Sequence, residues 1–173
     1  MSELGKLYPD ILLEHHRAPR RAGRLATPTH AADGNNPLCG DRVAVTLEIG
    51  QGRVLDIGCE VKGCAICRAA GSMMAEAVVG RDLAEVEAVL RRFLLAIGAL
   101  PSPDTGAAGP GAAPPAEGDT RGDGAPENRA QDGEAEWGPL AALLEARRFP
   151  NRRRCASLSW EVLERALSSP NGG

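Results

Sequence analysis

Between residues 101 and 136 the chain has no valine, isoleucine, leucine, methionine or aromatic side chain. The stretch holds six prolines and seven glycines, and eight acidic residues against two arginines give it a charge of −6. A segment so poor in apolar groups cannot bury enough surface to offset the entropy of ordering it. It predicts a flexible acidic insertion rather than a folded element. The residues behind it, 137–167, amount to about two helices and cannot hold a core alone. They must dock on what comes before. The expectation is one domain over 1–173, with 101–136 as an insertion inside it.

Composition narrows the class further. Of the 173 residues 43% are apolar, which fits one core-bearing domain. The net charge of −3 gives no bulk attraction to nucleic acid or to a membrane surface. The longest apolar run, Phe93 to Leu100, is eight residues, far short of a membrane span. The N-terminus has no basic cluster followed by an apolar stretch, so no secretory signal is written there. A cytoplasmic protein is expected. Disulfides rarely persist in that compartment, and five cysteines then point to metal or thiol chemistry.

The apolar pattern gives the elements. Leu7, Tyr8, Ile11, Leu12 and His15 keep helical spacing, with Pro9 in a first turn and Pro19 as the stop. Residues 18–40 read as loop. Val43, Val45, Leu47 and Ile49 alternate with polar or small neighbours, as do Leu55, Ile57, Cys59 and Val61 across the turn Gly50-Gln51-Gly52. That is a β-hairpin. From Cys64 the period becomes helical through Ile66, Ala70, Met73 and Ala77, and Gly80 ends it. Asp82 and Glu85 have capping-box spacing before the stripe Leu83, Val86, Leu90, Phe93, Leu94 and Ile97. Pro139 opens a helix with Leu140, Leu143 and Leu144. Ser159 is placed to cap a last helix with Trp160, Leu163 and Leu167 inward. The fold class is α+β: a small antiparallel β-sheet with helices packed on one face.

Three cysteines fall at element ends in this reading. Cys39 lies in the loop before the first strand, Cys64 at a strand-to-helix junction, and Cys155 between the last two helices. Thiolates suit zinc or iron–sulfur centres, and a carboxylate can complete a tetrahedron. Asp41 is two residues from Cys39, so both can point one way. Spacing alone leaves open a shared metal site or separately packed thiols. Cys64 and Cys67 form a Cys-x-x-Cys across a helix start, but no second pair and no thioredoxin-like context accompany it. Cys59 fits the inward alternation of its strand. His15 reads as a packed or hydrogen-bonded histidine. Five arginines within 147–154 read equally as a solvated helix end or as a docking surface near Cys155.

Four segments occur in order: Leu7-Tyr8 with Glu14-His15, Pro19-Arg20 and Gly23; Asn36-Pro37-Leu38-Cys39-Gly40-Asp41; Gly63-Cys64-Ala65-Ile66 with Ser72-Met73-Met74; and Phe149-Pro150 with Arg152, Cys155-Ala156, Leu158 and Trp160. Together they resemble the SufU-type branch of the IscU/NifU-like family of iron–sulfur cluster assembly proteins, over residues 4–98 and 138–168. The resemblance implies one metal held by Cys39, Asp41, Cys64 and Cys155. Two features favour the SufU-type branch. Arg154 stands where IscU-type scaffolds carry histidine, and an insertion separates the second and third cysteines.

The branch implies zinc-dependent sulfur transfer. A SufS-type cysteine desulfurase makes a persulfide, and one zinc-bound cysteine is displaced to accept the sulfur, with Cys39 first and Cys155 second as the catalytic thiol. Delivery would go to a downstream iron–sulfur scaffold or to apo-proteins, with neither nucleic acid nor membrane as partner. The same residues also suit a scaffold for a transient [2Fe–2S] or [4Fe–4S] cluster, or a structural zinc adapter that only staples the fold. The family usually has serine where this chain has Cys67 and an aromatic residue where it has Cys59. Cys67 adds a fifth thiol that can exchange with Cys64, bind iron, or resolve a persulfide as a disulfide.

Overall fold

The computed structural model describes residues 10–100 and 137–170. The 101–136 insertion and residues 7–9 of the first apolar stripe lie outside the described residues. The elements run α1 (Asp10–Arg17), β1 (His30–Asn35), β2 (Arg42–Gly50), β3 (Arg53–Lys62), α2 (Ala65–Val78), α3 (Leu83–Ala96), a single turn α4 (Ala141–Leu144) flanked by short 3-10 turns, and α5 (Pro150–Leu167). The strands form one antiparallel sheet in the order β1-β2-β3.

The hairpin forms where the alternation predicts it, with Gln51 and Gly52 both at positive φ in the turn. The inward residues differ at its start. A bulge at Glu48/Ile49 pairs Ile49 with Val54 and skips Leu55. The extra residue inverts the parity. Val54 is therefore fully buried and Leu55 is 52% exposed. β1 is a correction to the expected loop over 18–40. His-Ala-Ala-Asp-Gly-Asn has no β-branched residue and little alternation, so propensity is silent. Pairing with β2 and packing against α5 make it a strand. The α5 side chains Val162 and Arg165 come so close to Gly34 that a Cβ there would stand 2.5 Å from each.

The helices cap as their sequences indicate. Asp82 and Glu85 form a complete capping box, and Gly80 and Gly98 carry positive φ just past α2 and α3. The last helix is a second correction. α5 is continuous from Pro150, which opens it at its first position, and Ser159 is buried mid-helix rather than at a cap. Cys155 thus lies inside a helix and not in a connecting loop.

α5 packs on β1, β2, α2 and α3, and α2 packs on β3. One core results, with Phe93, Leu94, Met74, Leu47, Ile57 and Trp160 fully buried. Trp160 of α5 stacks on Phe93 of α3 at 4.5 Å between ring centroids. The residues on either side of the insertion therefore share a single core. Among the described residues no helix is long and apolar enough to cross a membrane.

Candidate metal centre

Four residues converge where the β1–β2 turn, the start of α2 and the second turn of α5 meet. Cys39 is presented by the turn Asn36–Asp41. Asn36 fixes that turn three ways: its backbone N–H donates to the Asp41 carbonyl (2.8 Å), its carbonyl accepts from the Gly40 N–H (2.8 Å), and its side-chain oxygen accepts from the Leu38 N–H (3.1 Å). Gly40 closes the turn at φ +74, a conformation that glycine adopts without steric cost. The Cys39 thiol stays exposed, beside Leu38, which is 77% exposed.

Asp41 turns inward and is only 4% exposed. Its Oδ1 accepts the Cys64 N–H at 3.2 Å, while Oδ2 is buried with no hydrogen-bond partner. A buried carboxylate oxygen without a donor is costly. Gly63 is what lets the carboxylate lie there, since a Cβ at that residue would stand 2.7 Å from Asp41 Cγ and Oδ1.

Cys64 is the N-cap of α2, with its thiol exposed and its Sγ accepting the Cys67 N–H at 3.4 Å. Cys155 is buried, its Sγ 4.0 Å from that of Cys39. Ligand atoms of Cys39, Asp41 and Cys155 all lie within 4.8 Å of one another. Cys64 is outside that trio but its thiol adjoins both Cys155 and Asp41.

Burial pushes the Cys155 thiol far up, and the neighbouring Cys64 and Asp41 push it further. Burial likewise raises Cys64, against a smaller lowering by the Cys67 N–H. Without a positive charge these thiols stay protonated. A bound cation inverts that preference. Three sulfurs and one unpartnered carboxylate oxygen form a donor set that fits a tetrahedral Zn²⁺. The residues present therefore suit the metal.

Two other cysteines sit behind the site. Cys59 is on the core side of β3, its thiol pushed up to about 12 by burial, in keeping with the packing role expected of it. Cys67 is fully buried, and desolvation raises its thiol well above the usual range. His15 is buried and hydrogen-bonded, as expected: Nδ1 lies 2.7 Å from Ser72 Oγ, which also accepts the Arg20 N–H at 2.8 Å. Asn36 and Gly63 were not among the expected site residues. Both lie inside the motif segments 36–41 and 63–66, which gave them no role of their own.

The NifU-like N terminal domain family model matches residues 7–105. The zinc-dependent sulfurtransferase SufU of Bacillus subtilis is 27% identical over 172 residues, covering 99% of this chain and 97% of that protein. The iron–sulfur cluster assembly scaffold protein IscU of Streptococcus pyogenes is 28% identical, covering 96% and 86%. Among solved structures, a putative iron–sulfur cluster assembly scaffold protein for the SUF system from Fervidobacterium islandicum superposes with a TM-score of 0.69 at 20% identity, covering 94% of this chain and 98% of that one. A NifU-like protein from Brucella abortus gives 0.68 at 23%, covering 96% of each chain. The two structural likenesses bear on the fold, which is the α+β arrangement expected from the sequence.

Proposed function

The chain belongs to the family of NifU-like N-terminal domains, and from that premise we propose that it serves iron–sulfur cluster assembly as a zinc-dependent acceptor of persulfide sulfur. The observation that carries this reading is the convergence of the Cys39 and Cys155 thiols on a buried carboxylate whose Oδ2 has no partner, with the Cys64 thiol adjoining that carboxylate and Cys155. The whole-length likeness to a zinc-dependent sulfurtransferase supports it. In this reading Cys39, Asp41, Cys64 and Cys155 hold the ion. Residues 1–173 form one domain in which 101–136 is an insertion.

Bound zinc would keep the thiols as thiolates and shield them from oxidation. The protein supplies the rest. Asp41 is held by the Cys64 N–H and carries the fourth ligand atom. Cys155 is anchored within α5. Cys39 rides on an exposed turn with a glycine beside it and is open to an incoming partner, and in this reading it is the first acceptor. The donor is the persulfide of a SufS-type cysteine desulfurase. The Cys39 thiolate attacks its outer sulfur, the sulfur–sulfur bond breaks, and the desulfurase thiolate leaves. Sulfur then passes to a downstream scaffold or apo-protein.

The test is desulfurase turnover, measured as alanine formed, with and without the zinc-loaded chain. A large stimulation that disappears in Cys39→Ala is expected. No stimulation from a folded, zinc-loaded sample would overturn sulfur acceptance in favour of a [2Fe–2S] scaffold.

A further inference from the structure

Cys67 has no part in the ligand set, yet it is placed against a member of it. Cys64 and Cys67 occupy the N-cap and third position of α2, and the Cys67 N–H donates to Cys64 Sγ at 3.4 Å. The Cys64 sulfur is thus already folded over the first turn, toward the backbone of its partner. Side chains three apart on a helix have Cβ atoms roughly 5–6 Å apart. A disulfide needs about 3.5–4.5 Å. The N-cap lies outside the helical ladder, with Cys64 at φ −67 and ψ 168, so rotation there can close the gap without unwinding α2.

The two thiols are unequal in access. Cys64 is exposed and Cys67 is 0% exposed. An outer thiol with an inaccessible inner thiol beside it is the arrangement of an acceptor and a resolver. The inner thiol cannot take sulfur from outside, but it can attack a sulfur–sulfur bond formed on its neighbour.

Building on the sulfur-acceptor reading, we propose that Cys67 is a resolving thiol that converts sulfane sulfur carried on Cys64 into sulfide, closing a Cys64–Cys67 disulfide. Sulfur passes from Cys39 to Cys64 by way of Cys155, whose Sγ lies 4.0 Å from that of Cys39 and adjoins the Cys64 thiol, in two successive thiolate–persulfide exchanges. The outer sulfur of the Cys64 persulfide takes the proton of Cys67, and the Cys67 thiolate so formed attacks Cys64 Sγ. The bond between Cys64 Sγ and the outer sulfur breaks, and its electron pair leaves with that outer sulfur. The proton of Cys67 goes with it, giving hydrogen sulfide. The two cysteine sulfurs lose two electrons and the sulfane sulfur gains them, so no outside reductant enters the step. An external dithiol is needed only to reopen the pair for another round. Clusters are built from sulfide, so this chain would supply sulfur already reduced.

The sequence makes the test direct, because cleavage after Lys62 and Arg68 puts both cysteines on one peptide, 63–68, while Cys39, Cys59 and Cys155 fall on separate peptides. The full chain as purified is loaded with inorganic polysulfide, desalted, and assayed for released sulfide and for peptide masses. Wild type is expected to release about one sulfide per chain and to leave peptide 63–68 lighter by about 2 Da. Cys67→Ser and Cys67→Ala are expected to release at least tenfold less and to keep peptide 63–68 heavier by about 32 Da. The pair of variants guards against one that fails to fold. The proposal is overturned if wild type retains the added sulfur as the variants do, or if its disulfide joins peptides 25–42 and 155–165. Absence of added sulfur on any cysteine of any variant would instead overturn the acceptor reading on which the proposal stands.

Discussion

Gly63→Ala tests the candidate site without touching a ligand. Gly63 does not adopt positive φ, so alanine meets no backbone penalty there. The added Cβ would lie 2.7 Å from Asp41 Cγ and Oδ1, about 0.7 Å inside ordinary contact. The near atoms belong to a short side chain pinned by the Cys64 N–H, so the carboxylate must swing away and give up that bond. Losing a hydrogen bond to a charged acceptor costs about 1.5–3 kcal/mol. Against this, alanine stabilises by about 0.4–1 kcal/mol through the unfolded chain. The metal-free fold should therefore lose only about 0.5–2.6 kcal/mol, read by urea denaturation. Zinc affinity, measured by competition with a chromophoric chelator, should fall about 10–100-fold, as when a supporting residue of a metal site is lost. That is about 1.4–2.7 kcal/mol. Asp41→Ala should weaken zinc at least as much, and the double variant no more than Asp41→Ala alone, because both changes act through one carboxylate. Wild-type zinc affinity in Gly63→Ala, or additive losses in the double variant, would refute the placement of Asp41 at the metal.

The remaining predictions concern the scaffold. Trp160→Ala removes a fully buried indole stacked on Phe93 and should cost about 3–5 kcal/mol in urea unfolding, with zinc lost as α5 loosens and Cys155 with it. Burial, and after it the Arg20 charge, holds His15 below the ordinary histidine range, with Glu76 and Glu14 opposing. The unfolded chain then binds the proton more readily, so this contribution to stability is intact above pH about 6.5 and is lost as pH falls below it. His15→Gln should flatten the slope of stability between about pH 7 and 5, and an unchanged slope would count against it. Replacing 101–136 by a short Gly-Ser linker should leave zinc content unchanged, measured by metal analysis of the purified chain.

Legibility in the sequence followed the physics of each segment. The hairpin and the α2 and α3 stripes were readable because one buried face imposes a period on the residues. The bulge that turns Val54 inward was not, because it depends on how Ile49 finds its partner across the sheet. β1 was hidden for a related reason: Gly34 has no room for a side chain because Val162 and Arg165 of α5 lie close above it, and small residues carry no strand signal. Ser159 misled because serine favours a cap in isolation, while here Pro150 starts the helix and burial of Trp160, Val162 and Leu163 carries it through. The ligand-type residues were individually visible as cysteines and an aspartate at element junctions. Their convergence was not, since Cys155 is 116 residues from Cys39 and only the packing of α5 across β1, β2 and α2 brings them to 4.0 Å. Asn36 and Gly63, visible in the motif segments but given no role there, act through backbone geometry. Asn36 ties a turn with three hydrogen bonds, and Gly63 contributes the absence of a side chain. Both influence the site by shaping where Cys39 and Asp41 point, and that influence exists only once the turn is closed and the carboxylate has somewhere to lie. The same dependence explains why Cys67 stood out: a Cys-x-x-Cys is a weak signal as spacing, and it acquires meaning from one N–H donated to one sulfur at a helix start beside three other thiols.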